Sequence, residues 1–367
     1  MPVPLLDIQR QHAPLAPEFN EAFNRILVSG AFVLGKEVQA FEAAMAEYIG
    51  AKHAIGISSG TDALLIALMA LDIGPGDEVL CPAFTFFGTA GSIARVGATP
   101  VWVDVDRDSF NMDLEDAARK LSPATKGMMP VHLFGQSCDM DALTAFAAEH
   151  SLTVIEDAAQ AIGAEYKGRQ VGTFTELGAF SFYPTKNLGG LGDGGLVTTN
   201  DDALATKVGK LRNHGMHPKY VHELIGGNFR LDALQAAFLG IKLQRLDSWH
   251  EGRGKHAAAY METLSACDAF ELPLALPDRR HVWNQFTLKV RNGRRDDLRS
   301  YLSEKGIGSE VYYPISLDQQ ACFNGIGKGG ESIRVSHELA ASVLSIPVFP
   351  EMTIAEREEV VEALKAF

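Results

Sequence analysis

The chain is poor in cysteine, and its cysteines do not pair. Four occur in 367 residues, at Cys81, Cys138, Cys267 and Cys322, with no Cys-x-x-Cys spacing. That pattern excludes a disulfide framework and a zinc site as expectations, so no metal is expected. Reduced thiols in a cytoplasmic protein fit it better. Lys/Arg-rich runs are also missing, and the formal net charge is −13. Nucleic acid is therefore not an expected partner, because a phosphate backbone needs a basic surface. A small anionic ligand is still allowed, since a local pocket can be positive on an acidic protein. No apolar run approaches membrane-spanning length, so no membrane partner is expected. The opening Met-Pro-Val-Pro-Leu-Leu-Asp has no basic segment followed by an apolar core, and no signal peptide is expected there. Internal repeats and low-complexity tracts are absent too.

What is present is the balance of a globular protein, with 46% apolar and 22% charged residues. The length is too great for one simple core and suits a large domain with a smaller one. Residues 17–50 read as two amphipathic helices separated by Ser29-Gly30. From residue 54 short apolar runs alternate with helical patterns. The strand candidates are Ala54–Ser58, Glu78–Cys81, Pro100–Asp106, Gly127–Leu133, Leu152–Glu156, Leu177–Tyr183 and Leu196–Thr199. Helical patterns follow Gly60 through Leu71, run to about Val96, and recur at Met140–His150. Such alternation predicts an α/β fold with a mostly parallel central sheet flanked by helices. Ligands on such sheets bind beyond the C-terminal strand ends.

A long helical stretch is expected over Leu231–Leu264, and a linker turn over 273–277. Beyond it, Val282–Val290 and Ser309–Tyr313 read as strands, and Arg295–Lys305 and Thr353–Ala366 as helices. The expected division is a large domain with N-terminal helices over 1–245 and a small C-terminal α+β domain over 246–367. The Gly-rich stretch Asn324–Gly330 reads as a flexible loop.

Three motifs carry chemistry. Ser58-Ser59-Gly60-Thr61 follows a strand and opens a helix, whose free N–H groups and dipole favour a phosphate. Taken alone it reads first as an ordinary helix cap. Val154-Ile155-Glu156-Asp157-Ala158-Ala159-Gln160 ends a strand in acid. Asp157 there can pair with a protonated pyridine nitrogen, and Gln160 can reach a ring hydroxyl if the segment turns helical. A capping, metal-binding or ribose-binding carboxylate fits the same residues. The third motif is Ala179-Phe180-Ser181-Phe182-Tyr183-Pro184-Thr185-Lys186-Asn187-Leu188-Gly189. An isolated lysine is ordinarily a surface residue. This one follows a strand edge, with the Ser181 hydroxyl five residues earlier and Gly-rich chain after it. Such a lysine can have a lowered pKa and attack aldehydes. An anion cup, an acid and a lysine, each just past a strand, match the three handles of pyridoxal phosphate (PLP). A dinucleotide fold would need G-x-G-x-x-G after the first strand, and Ser58–Thr61 does not supply it.

The chain resembles the DegT/DnrJ/EryC1 sugar aminotransferases, within the fold-type I PLP enzymes. The likeness rests on Ser29–Glu37, Ser59–Ala63, Gly74–Val79, Glu156–Gln160, Ser181–Gly189, Gly192–Gly195 and Asn228–Asp232 and covers nearly the whole chain. It implies that Lys186 forms the Schiff base and moves the proton, that Asp157 pairs with the pyridine nitrogen and that Gln160 meets the ring hydroxyl. It implies that Ser59, Gly60, Thr61 and Ser181 hold the phosphate, and that Phe86 stacks on the ring, with Phe84 the rival. Asn228 resembles a residue given by a partner subunit, which implies a homodimer. Arg230, Tyr312 and Tyr313 match positions near the sugar nucleotide. His132 and His214 fit the pocket or a packed role. Where this chain has Tyr312-Tyr313-Pro314, many relatives carry His-Tyr-Pro, and where it has Asp318 they often carry His or Asn. The implied reaction moves an amino group, with L-glutamate as donor, to a C-3 or C-4 keto group of a nucleotide-linked hexose. The 181–189 wording leans to C-3. A dehydratase on the same scaffold and a non-catalytic regulatory protein are the alternatives; relatives that dehydrate replace the lysine by histidine.

Overall fold

The structure, a computed structural model, describes residues 2–367. Three helices open it: α1 (Ile8–His12), α2 (Ala16–Ser29) and α3 (Lys36–Ile49). Gly30, at φ 66, ends α2 where Ser29-Gly30 marked the break. The alternation then runs β1 (His53–Ile57), α4 (Gly60–Ala70), β2 (Glu78–Pro82), α5 (Phe87–Arg95), β3 (Thr99–Val103), α6 (Leu114–Arg119), β4 (Thr125–Met128), α7 (Met140–Glu149) and β5 (Thr153–Asp157). A small ribbon of β6 (Glu165–Tyr166) and β7 (Arg169–Gln170) comes next, then β8 (Leu177–Ser181), β9 (Gly195–Thr199) and α8 (Asp202–Leu211).

Seven strands form one sheet in the order β1-β9-β8-β5-β4-β2-β3. The pairs β2–β3, β2–β4, β4–β5 and β5–β8 are parallel. Only β9 runs against both neighbours. Helices cover both faces, so the strands read as continuous apolar runs rather than alternating ones. The reading of an α/β fold with a mostly parallel sheet holds. The reversal of β9 brings its start to the edge where its neighbours end. Its first residue, Gly195, lies beside both Ile57, the end of β1, and Ser181, the end of β8. A Cβ at Gly195 would collide with the Ser59 carbonyl. The close approach of these three chain segments therefore needs glycine there.

The C-terminal part holds α9 (Ala233–Leu243), α10 (Leu246–Thr263), β10 (Phe270–Glu271), β11 (Arg279–Arg280), β12 (Phe286–Val290), α11 (Arg295–Glu304), α12 (Val335–Ser342), β13 (Val343–Ile346) and α13 (Ile354–Ala366). Antiparallel β10-β12-β13 packs with these helices around Tyr260, Phe286, Leu288, Leu298 and Leu344. Val3 joins this core and bonds Gly306 and Gly308.

Several boundaries differ from expectation. The stretch 231–264 is two helices, broken at Gln244-Arg245. The strand expected at Val282–Val290 begins only at Phe286, because Val282 and Asn284 donate to Gly135 and Phe134 instead. Ser309–Tyr313 is not a strand; Glu310 alone bridges Ser345. The pairing strand is β13, whose apolar run directly continues a helix and carries no turn signal. The Gly-rich 324–330 is no free loop. Lys328 bonds Pro100 and Trp102 along β3 and so covers the sheet's open edge.

Asp104, just past β3, ties the two parts together. Its carboxylate accepts the N–H groups of Arg334, Val335 and Ser336 at 2.8 Å each, and the Ser336 hydroxyl at 2.7 Å. Burial works against its charge, yet these donors outweigh burial and hold the carboxyl below its usual range. A depressed folded value stabilises the protein above the unfolded carboxyl value of about 4 and is lost as pH falls through the folded one. Asp104→Ala should therefore cost about 3–5 kcal/mol at pH 7, since buried N–H groups lose their acceptor. In urea unfolding, the gap from wild type should shrink as the pH drops below about 4.

Candidate active site

The C-terminal ends of β1, β5 and β8 open into a cavity of about 620 Å³. Ser59, Gly60, Thr61, Phe86, Asp157, Gln160, Ser181, Lys186, Tyr312 and Tyr313 all line it. Folding thus brings together every residue given a definite role in the site except Asn228 and Arg230.

Asp157 is the last residue of β5 and is buried. Its Oδ2 accepts the Thr89 hydroxyl at 2.8 Å, and its Oδ1 accepts the Ala159 N–H at 3.2 Å. Burial pushes its pKa up, while Thr89 works the other way. Lys186 sits past the turn that β8 makes through Pro184, with its N–H bonded to the Tyr183 carbonyl at 2.8 Å. The residue is half-buried, and the protein packs around its amine. Burial lowers that amine to about 8, and only the Asp157 charge opposes the shift.

The anion cup forms at the start of α4. Ser59 Oγ accepts the Asp62 N–H at 3.1 Å, so Ser59 does cap the helix. The remaining first-turn N–H groups have no intrahelical acceptor. A Cβ at Gly60 would lie 2.6 Å from the Ser181 Cβ. Glycine is what lets the helix start meet the end of β8, placing the Thr61 and Ser181 hydroxyls on one rim.

Phe86 is 53% exposed and borders the cavity, whereas Phe84 is 1% exposed and belongs to the core; the geometry selects Phe86. The segment after Asp157 does not turn helical, the condition set for Gln160 to reach a ring hydroxyl. Gln160 reaches the cavity from a loop, accepting from the Phe134 N–H at 2.8 Å and donating to the Tyr313 hydroxyl at 3.0 Å. Burial pushes the Tyr313 phenol up. His132 is buried and packed, and does not line the cavity. Its Nδ1 accepts the Cys138 N–H at 3.1 Å, so Nε2 carries the proton and donates to Glu156 Oε2 at 3.1 Å. His214 lies on the 213–228 loop, its carbonyl against the His222 ring. Asn228 pairs with Asn213 through its backbone, and Arg230 donates to Asn213 Oδ1 at 2.8 Å.

Sequence reasoning missed Thr89, Asn284 and Gln285. Thr89 binds Asp157, and the other two line the cavity. None lies in a local motif. Tyr183 and Thr185 also line it, and these lie inside the 181–189 motif. Among the described residues, no cluster of His, Cys, Asp and Glu could hold a metal.

A buried amine facing a buried acid, beside an anion cup, fits the aldehyde, ring nitrogen and phosphate of PLP. These features define the class of PLP-dependent α/β transferases. The sequence model of the DegT/DnrJ/EryC1/StrS aminotransferase family matches residues 14–365, and the chain belongs to that family. It is 46% identical to a "pleiotropic regulatory protein" of Geobacillus stearothermophilus, over 100% of this chain and 99% of that one. It is 42% identical to the dTDP-3-amino-3,4,6-trideoxy-alpha-D-glucose transaminase of Streptomyces venezuelae, over 99% and 95%. The crystal structure of S. venezuelae DesV in complex with a ketimine intermediate superposes with a TM-score of 0.97 at 41% identity, covering 100% of this chain and 98% of that one.

In cofactor-free protein, Lys186 should titrate near 8, not near the usual lysine value. Reductive ¹³C-methylation followed by NMR titration reads this directly. Asp157→Asn should lower the midpoint further, because it removes the charge that favours the ammonium. A Lys186 midpoint above 10 contradicts the burial argument.

Proposed function

We propose that this protein transfers an amino group from L-glutamate to a C-3 keto group of a nucleotide-linked hexose, in amino-sugar biosynthesis. The observation that carries the reading is the buried Lys186 amine facing Asp157 beside the cup at Gly60 and Ser181. The C-3 position is supported by the 3-amino product in the S. venezuelae relative's name. PLP supplies, when bound, an electron sink for the carbon that gains or loses a proton.

The chain's own residues would do the rest. The Lys186 amine, lowered to about 8, would accept the substrate proton and return it two atoms along, in a 1,3-shift. Asp157, fixed by Thr89, holds a proton on the ring nitrogen. Ser59, Gly60, Thr61 and Ser181 hold the phosphate. Phe86 covers one ring face, and Gln160 meets the ring hydroxyl. Tyr312 and Tyr313 shape the sugar side. The small-unit residues Asn284 and Gln285 close the cavity opposite, which supports a division into units 1–245 and 246–367 with the site at their junction.

Asn228 and Arg230 would act from a second copy, because neither lines its own chain's cavity. A homodimer is also supported by exposed apolar side chains on and after α2: Phe23, Leu27, Val28, Phe32 and Val33. Four free cysteines, two of them buried, agree with a cytoplasmic setting.

A second reading, a regulator without turnover, is favoured by the name of the Geobacillus relative. A dehydratase would consume keto-sugar without adding nitrogen. One experiment separates the three. The PLP-loaded protein is mixed with L-glutamate, then with dTDP- and UDP-linked 3-keto and 4-keto hexoses. Absorbance should pass from the aldehyde form to the amine form of the cofactor, and mass spectrometry should find the 3-amino sugar. Lys186→Ala should slow turnover on the order of a thousandfold. Bound PLP with no spectral change on adding glutamate would sink the transaminase reading.

A further inference from the structure

We propose that Asn187 and Asn284 form an amide clamp that positions Lys186 for proton transfer. The proposal rests on Lys186 being the catalytic lysine. Asn187 follows it directly and is 2% exposed; Asn284 comes from the small unit and is 5% exposed. Asn284 Nδ2 donates to Asn187 Oδ1 at 2.9 Å, and Asn187 Nδ2 donates to the Val282 carbonyl at 2.9 Å. Both ends of the Asn187 amide are therefore engaged by one arm, residues 282–284.

That arm is itself fixed. Val282 donates to the Gly135 carbonyl and Asn284 to the Phe134 carbonyl, each at 3.0 Å. Trp283 is held at φ 49, in the left-handed region that costs a bulky residue most. Its ring stacks between His281 and Phe286. The buried Arg253 guanidinium lies against three carbonyls, those of Trp283, Asn284 and Val348. Strain of this kind persists only where surrounding contacts over-determine it. The arm also touches the other side of the cavity. Phe134, which receives the Asn284 N–H, gives its own N–H to Gln160 Oε1 at 2.8 Å. Lys186 and Gln160 lie past the ends of different strands, yet both are braced on residues 282–284. At the far end of the lysine turn, the buried Lys242 ammonium bonds the Gly189 carbonyl. Residues 186–189 are thus pinned from two sides. Apolar residues could fill the same space without the cost of burying two amides. What the amides add is a fixed direction for the lysine backbone.

The test uses PLP-loaded Asn187→Ala, Asn284→Ala and the double variant. Two quantities are read: the single-turnover rate with saturating glutamate, and the pH midpoint of the bound-cofactor absorbance. Each single variant should slow the half-reaction about tenfold to a hundredfold, the loss typical of a misplaced catalytic group. Cofactor content and the glutamate half-saturation should stay near wild type, while the pH midpoint moves. The double variant should be no slower than the slower single one, because the pair acts as a unit. Asn187→Asp, which keeps the acceptor for Asn284, should recover part of the rate. Should Asn187→Ala fail to fold, Asn284→Ala alone still decides. Wild-type rate and midpoint in folded, loaded variants overturn the clamp, as do losses that multiply in the double variant. Lys186→Ala is run beside them. If it reacts at the wild-type rate, the lysine assignment has failed; if it is dead while the clamp variants react normally, only the clamp has failed.

Discussion

Holding an amine and a carboxyl out of water at the same end of one sheet is the constraint on which this molecule is built. Burial disfavours the charge on both. Lys186 falls to about 8 and Asp157 rises, and each is kept in reach of its charged form by the other. An exposed lysine would be protonated and inert at neutral pH; a buried one with no acid nearby would stay neutral and hold no anionic partner in place. The pair is useful because neither pull wins outright.

The fold supplies this balance through strand direction. β5 and β8 run parallel and adjacent, so Asp157 and the chain leading to Lys186 emerge on one edge. β9 runs back between β8 and β1 and starts with glycine. That lets the first turn of α4 come up against Ser181 and adds the anion cup to the same edge. The C-terminal part closes the opposite wall through Tyr312, Tyr313, Asn284 and Gln285. It is anchored by buried polar groups as well as by the apolar core the two parts share. Asp104 collects the N–H groups at the start of α12, and Arg253 collects carbonyls from the arm and from Val348. Such ties hold direction as well as distance, which a site assembled from distant stretches of chain requires.

Much of the site was legible because its chemistry is written in contiguous stretches. Asp157 ends an apolar run, Gly60 opens a helix after one, and Ser181 and Lys186 share a single motif. Strand ends are readable from apolar runs, and on a parallel sheet they all point to one edge. Thr89, Asn284 and Gln285 were not legible. Each is a lone polar residue whose meaning comes only from the partner that folding brings to it. The expected strand at 282–290 failed for the same reason: its first residues are pulled off the ladder by Phe134 and Gly135, far away in sequence. The break at Gln244-Arg245 has no proline or glycine to announce it. The helical pattern around it is continuous.

The central claim is that Lys186, and no other lysine, carries the cofactor. Lys242 is the informative rival, since it is also buried and its amine is also lowered to about 8. It differs in facing Gly189 and His12 and not the cavity. Borohydride reduction of the PLP-loaded protein, followed by peptide mass mapping, reads the attachment site directly. The reduced cofactor should lie on the peptide that contains Lys186. Attachment at Lys242, or a loaded protein in which reduction fixes no cofactor to the chain, would contradict it.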